Sequence, residues 1–422
     1  MRANVLTDAR LMKLAGRFAW LDIDTEKPVN FAFVEKFPND AWPTVYVIDP
    51  VSEQVLLRWL GTATAPELEK LLGDAERTFK RERTDAAGTA LARGAALAAE
   101  RQPADAARAF SDALAAGGPR WPERARVADA MLQALVSAHD DQACAGAAAE
   151  LLPRLEQGPA YARVAAAGLG CAVSLEEPAS REPAIRAVEP YARLALGVPG
   201  VLADDRSGLY DELHQARLAL GDVAGAKRVA REWLAFVEDE SRRARTPLAR
   251  SAVDGARLSA AQALGEPRRA LPALRASALA LPQEYFAQSY QAVCALEAGE
   301  PAEALEAARR AVKLAEGPRK VRVMTVEAQA LKALGEEAEA RAVLEAAIAH
   351  GEGLPAPSRP RGHLARARRL QEQGTPAPER PAEEGAPPGP TPAASGTSDP
   401  LTAPASPPAA VAPTPAPAPA PK

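Results

Sequence analysis

The chain has 422 residues, room for two or three domains, with 47% hydrophobic and 5% aromatic content and a formal net charge of −4. That balance supports a packed core and shows no basic patch, which makes nucleic acid a poor partner. No stretch reaches the ~20 apolar residues of a membrane span; the longest, 164–175, is short and follows Arg163. Arg2, Asp8, Arg10, Lys13 and Arg17 interrupt the N-terminus, so no signal-peptide core is present, and the chain as written reads as cytoplasmic. An extension upstream of Met1 would open the periplasm or export instead.

Residues 1–80 alternate helix and strand. Asp8 is placed to cap a short helix over 9–16. Residues 18–23, apolar with aromatic and branched side chains, predict a buried strand. A second short helix covers 30–37 with Phe31, Phe33 and Val34. Thr44–Ile48 and Val55–Leu60 predict two strands joined by a turn short enough for a hairpin. Thr64, Pro66 and Glu67 then form a helix start with a capping box. Leu68, Leu71, Leu72, Ala75 and Phe79 follow on one face of that helix. Residues 81–86 are a charged joint, and 87–372 are helical throughout in pattern. From 373 to 422 the chain is Pro/Ala-rich with little to bury, which predicts a disordered tail of polyproline bias.

Cys144, Cys171 and Cys294 lie far apart in alanine-rich helical context, with no C-x-x-C pair and no zinc spacing. They read as small apolar core residues, and a disulfide framework is not expected. His139, His214, His350 and His363 are scattered, with no H-E-x-x-H. A phosphate loop, a nucleophile elbow and a paired-carboxylate motif are also absent from the sequence. The residues therefore predict no catalytic, cofactor or metal site.

Three pieces of the first segment carry a resemblance: Phe-Ala-Trp-Leu-Asp-Ile-Asp (18–24), Phe-Pro-Asn-Asp-Ala-Trp-Pro-Thr (37–44), and the hairpin ending Trp59-Leu60-Gly61. With the element order, they make residues 1–80 resemble an incomplete thioredoxin-like α/β domain. The resemblance implies that Trp42, Pro43 and Thr44 hold an extended peptide through backbone hydrogen bonds and that Pro43 is cis. Read from the residues alone, Pro43 simply opens a strand, where a missing N–H does no harm. In the family the redox C-x-x-C and a central strand precede the residues matching Met1–Thr7. Without that pair there is no attacking thiolate for disulfide exchange. Two expectations follow: a start codon lying upstream of Met1, or direct closure of the strands at 18–24 and 44–48.

In the helical region Gly221, Gly265, Gly299 and Gly335 end apolar stretches at intervals of 44, 34 and 36 residues. Each has alanine five residues later: Ala226, Ala270, Ala304 and Ala340. Arg101, with Ala106, Phe110 and Ala113 after it and Gly94 before it, fits the same frame. This pattern resembles the tetratricopeptide repeat, a helix–turn–helix of 34 residues stacked into an all-α solenoid. The best units are 87–120, 251–284, 285–317 and 321–351. Residues 121–206 fit poorly and are expected to hold two divergent units around 132–155 and 161–196. An irregular helical bundle or another α-solenoid is the alternative.

The resemblance implies a concave groove that takes a protein or peptide. Arg242-Arg243, Arg268-Arg269 and Arg309-Arg310 either line that groove for acidic peptides or form a solvated helix face. No asparagine follows Asn39, which argues against a carboxylate clamp. The leading expectation is a non-catalytic protein-interaction module. The alternatives are a thiol–disulfide oxidoreductase, if C-x-x-C lies upstream, and an assembly scaffold acting through the array alone.

Overall fold

The structure is a computed structural model that describes residues 5–38, 43–80 and 85–372. Trp42, most of the charged joint and the Pro/Ala-rich segment from 373 onward lie outside the described residues.

The N-terminal elements follow local chemistry closely. Asp8 caps α1 (Ala9–Met12), its carboxylate accepting the Arg10 N–H at 2.9 Å. A 3-10 turn at Pro28–Asn30 leads into α2 (Phe31–Lys36). Strands β1 (Thr44–Ile48) and β2 (Val55–Leu60) pair antiparallel, Thr44 opposite Leu60 and Val47 opposite Leu57. Asp49 holds the turn between them, accepting the Val51 N–H at 2.9 Å and the Ser52 hydroxyl at 2.8 Å. Helix α3 (Ala65–Phe79) starts on the expected capping box, with the Glu67 carboxylate accepting the Thr64 N–H at 2.8 Å. Leu68, Leu71, Leu72 and Ala75 bury one face of α3 against Val47, Leu57 and Trp59. Phe79, at the end of the helix, is half exposed instead of joining that face.

The strand expected at 18–23 does not form. Phe18 packs at the edge of the small core, but Trp20 and Leu21 are exposed, and only one bridge, Ala15 to Phe18, touches the segment. Among the described residues the only sheet is the β1–β2 pair. A strand is stabilised by its ladder, and an apolar run with no strand beside it stays irregular. The two strands therefore do not close up directly.

The remainder is a succession of antiparallel helix pairs. The first is α4 (Ala86–Ala99) with α5 (Pro103–Gly117), the second α6 (Arg124–Ser137) with α7 (Asp141–Leu151). The third is α8 (Pro159–Ser174) with α9 (Pro178–Ala195), the fourth α10 (Ala203–Ala219) with α11 (Val223–Arg243). A short helix, α12 (Pro247–Ser251), precedes the fifth pair, α13 (Asp254–Leu264) with α14 (Leu271–Ala280). The sixth is α15 (Tyr285–Glu297) with α16 (Pro301–Leu314), the seventh α17 (Gly317–Ala333) with α18 (Glu337–Glu352). Helix α19 (Arg361–Glu372) closes the array. The long α11 and the inserted α12 account for the 44-residue glycine interval. The poorly fitting stretch 121–206 holds two complete pairs.

Six of the seven pairs turn through the same device. Gly221, Gly265, Gly299 and Gly335 take φ between 73° and 87°, and Arg101 and His139 occupy the same place at 60° and 56°. In all six the next residue donates its N–H to a carbonyl five positions back, as from Asp222 to Arg217 and from Gln102 to Leu97. That bond satisfies a helix-end carbonyl and needs a left-handed residue before it, which is why glycine recurs there. Small residues set the helix spacing. A Cβ on Gly94 would lie 2.6 Å from the Phe110 ring, and one on Gly168 would lie 2.1 Å from the Cβ of Ala148. Ala106, Ala113, Ala226, Ala270, Ala304, Ala311, Ala340 and Ala347 are all buried.

The cysteine expectation needs correction. Cys144 on α7 and Cys171 on α8 are both buried and joined by a disulfide, with Cα atoms 6.0 Å apart. Twenty-seven residues separate them in sequence, and only the packing of α7 on α8 brings them together. Cys294 is a buried thiol, as expected, donating to the Pro267 carbonyl.

Candidate functional site

First helices stack on first helices (α6, α8, α10, α13, α15, α17), so each of pairs two to seven contributes one helix to a common face. Residues 5–80 lie against that face. Strand β2 packs on α4, and Leu202, just ahead of α10, joins the small N-terminal core. At the other end, α2 meets the 3-10 turn Ala356–Ser358 beyond the seventh pair. One short segment reaches both ends, so the array curves around it. The groove expected for a partner is, in this structure, lined by the chain's own N-terminal residues.

The contact with the third pair is a buried charge network. The Arg163 guanidinium, on α8, bonds Asp129 of α6 at 2.7 Å and Glu67 of α3, and reaches Asp205 of α10 at 3.4 Å. It lies 5.5 Å from the centre of the Trp59 ring. The Thr62 hydroxyl donates to Asp205, and the Gln133 amide donates to Asp129 at 3.0 Å. Glu67 thus serves twice, capping α3 and docking it. Burial pushes the Glu67 carboxyl up, but the adjacent guanidinium and the capping bonds outweigh it and hold it below the usual range. For Asp129 and Asp205 burial wins over Arg163, and both carboxyls are raised. Burial disfavours the Arg163 charge, yet the three carboxylates more than compensate and hold the guanidinium protonated. Beside this network Lys70 and Asp74 of α3 pair with Glu123 and Arg126 at the start of α6, at 3.7 and 2.6 Å.

The contact with the seventh pair is smaller. Glu26, the only buried residue between 21 and 30, accepts the Arg319 N–H in the first turn of α17 at 3.0 Å. The Arg319 guanidinium reaches Glu26 at 3.8 Å and Asp24 at 3.9 Å.

Of the residues expected to hold a peptide, Pro43 and Thr44 open β1, where the Pro43 carbonyl accepts the Gly61 N–H at 2.8 Å. The Trp42–Pro43 bond lies outside the described residues. The arginine pairs divide. Arg242 and Arg243 pair with Asp239 and Glu240 on their own helix, a solvated face. Arg309 bridges to Glu339 at 2.6 Å, and Arg310 bonds Gln288 and Gln291, tying helices together. Residues that sequence reasoning missed are Arg163, Asp129, Asp205, Glu26 and Arg319. A signal existed for two of them: Asp129 and Arg163 interrupt otherwise apolar or alanine-rich helix faces.

The three cysteines offer no attacking thiolate. Two are joined to each other, and burial pushes the Cys294 thiol up to about 12. Among the described residues no three His, Cys, Asp or Glu side chains are grouped to hold a metal ion. No helix there is long and apolar enough to cross a membrane.

No protein-family model matches the chain, and no curated protein matches it. Among solved structures, a tetratricopeptide repeat protein from Parabacteroides merdae ATCC 43184 is similar, with a TM-score of 0.41 and 9% sequence identity. The match covers 68% of this chain and 100% of that one. A likeness this distant carries nothing further; the helix-pair architecture rests on the geometry above.

Proposed function

We propose that this chain is a protein-interaction module of the tetratricopeptide type, whose first-helix face binds polypeptide. The observation that supports this most directly is the presence of a polypeptide on that face: residues 5–80 contact the first helices of pairs one, two, three, four and seven. The array buries its alanines between helices and leaves charged and polar groups on this face, a surface suited to ordering a chain segment. Photo-crosslinking residues placed singly on α13 and α15, or on α14 and α16, test it in cells. Protein adducts confined to the first-helix positions support the reading, whereas equal labelling of both sets or none at all removes it.

Within this module residues 1–80 are read as a thioredoxin-like domain, with Trp42, Pro43 and Thr44 holding an extended segment. The direct run from Pro43 into the β1–β2 hairpin and α3 supports that assignment. The disulfide supports an oxidising compartment, since such bonds persist outside the reducing cytosol. Mass spectrometry of protein from its native cells, acid-quenched and alkylated in denaturant, decides this: labelled Cys144 and Cys171 would place the chain in a reducing compartment.

A further inference from the structure

The start of α17 is built to receive a chain segment. Its sequence opens Glu316-Gly317-Pro318-Arg319, and no side chain of its own caps it. The cap comes instead from Glu26, 293 positions away in sequence, whose carboxylate takes the Arg319 N–H at 3.0 Å. A helix N-terminus with free N–H groups favours an anion, and the guanidinium of Arg319 adds to that field. That guanidinium lies 5.6 Å from the centre of the Tyr285 ring, which gives it an aromatic shelf. Gly317 sits at φ 52°, and a Cβ there would fall 2.4 Å from the Glu26 carbonyl oxygen. Only glycine lets the visiting backbone approach so closely.

The one buried side chain of the segment 21–30 is a carboxylate, and Ile23 of that segment is half-buried. Around Glu26, which is 7% exposed, Leu21, Lys27 and Val29 all face solvent. The segment shapes itself through Asp24, whose side chain accepts the Glu26 N–H at 3.1 Å and whose carbonyl accepts from the Asn30 amide at 2.7 Å. A segment whose only buried side chain is a carboxylate is one that a competitor of the same chemistry can displace.

We propose that Gly317–Arg319, with Tyr285, form a binding site for an acidic-x-acidic segment, and that Asp24-Thr25-Glu26 is its internal occupant. The far end of the first-helix face is then closed until a partner protein presenting such a segment replaces it. This rests on the interaction reading above and names the partner chemistry and its regulation.

The test uses the full chain and a fluorescein-labelled peptide of residues 20–30 as the probe. In the Asp24→Asn/Glu26→Gln variant the internal occupant loses its charges, and fluorescence anisotropy should show the peptide binding at least tenfold tighter than to the unmodified chain. Adding Arg319→Ala to that variant, or the same Asn/Gln changes to the peptide, should reverse the gain, and raised salt should weaken binding. Equal binding to the unmodified chain and the variant overturns the proposal. So does absence of binding by the variant once hydrogen exchange shows residues 21–28 released. So does a variant whose residues 21–28 stay protected, because the carboxylates would then not be what holds them. The titration involves only this chain and its own peptide, so its failure leaves the crosslinking result on α13 and α15 standing. A blank crosslinking map beside a positive titration would refute the interaction reading and spare the site.

Discussion

The first four helix pairs and the last three hold the same N-terminal segment in different ways. Over the first four, α3 and β2 bring an apolar core to the array, and Arg163 ties three carboxylates from three helices into one buried network. Over the last three, contact narrows to the acidic Asp24–Glu26 stretch on α17 and the touch of α2 beyond it. Apolar burial and desolvated charge make an association permanent, because breaking it exposes area and strands ions. At α17 a single carboxylate is buried with no apolar core around it. Breaking that contact exposes little area and strands one ion instead of four, so the association can exchange. On the reading proposed above, the difference separates the part of this face that belongs to the fold from the part available to a partner.

The largest test of that contrast is Arg163→Met. It leaves Glu67, Asp129 and Asp205 buried without their cation, and urea unfolding should show a loss of about 3–5 kcal/mol. Hydrogen exchange should rise together in α3 and the first four pairs. A loss below about 1 kcal/mol would mean that the network is incidental to docking.

Reducing the disulfide, or replacing both of its cysteines by alanine, comes next. A closed loop of this size stabilises by about 2–4 kcal/mol, and the loss should be concentrated in the second and third pairs, read as exchange in α7 and α8. Gly94→Ala should cost about 1–3 kcal/mol by forcing the Phe110 ring out of place, measured by the thermal midpoint. An unchanged midpoint would show that the α4–α5 spacing can relax.

Burial pushes the Asp254 carboxyl, at the start of the fifth pair, up to about 6 from an ordinary 3.8, against hydrogen bonding from Ser277 and the charge of Arg257. The folded state therefore holds that proton more tightly than the unfolded chain. The resulting stability is fully present below about 3.8 and lost as pH rises through about 6. Asp254→Asn should flatten the dependence of the thermal midpoint on pH between 4 and 7; an unaltered slope would rule the group out. The smallest effect belongs to Asp24→Asn/Glu26→Gln, which weakens one helix cap and should cost about 0.5–2 kcal/mol of global stability while raising exchange at 21–28.

Features that a few neighbouring residues control were legible in the amino-acid sequence. The capping box at Thr64 and Glu67, the β1–β2 hairpin, and the glycines ending the first helices depend on backbone conformation and hydrogen bonds within six residues. The place of Arg101 in the repeat frame was legible too, whereas the approach of Phe110 to Gly94 is decided by how α4 packs on α5. The strand expected at 18–23 failed because β pattern alone supplies no ladder. The disulfide was missed because the approach of Cys144 to Cys171 depends on how α7 crosses α8. Glu67 was legible as a cap but not as the partner of Arg163, 96 residues on. Glu26 was unreadable as a cap for α17 because only the curvature of the stacked pairs carries one end of the chain to the other. Periodicity and turn chemistry describe each helix pair; the identity of what lies across the first-helix face is decided when the pairs stack.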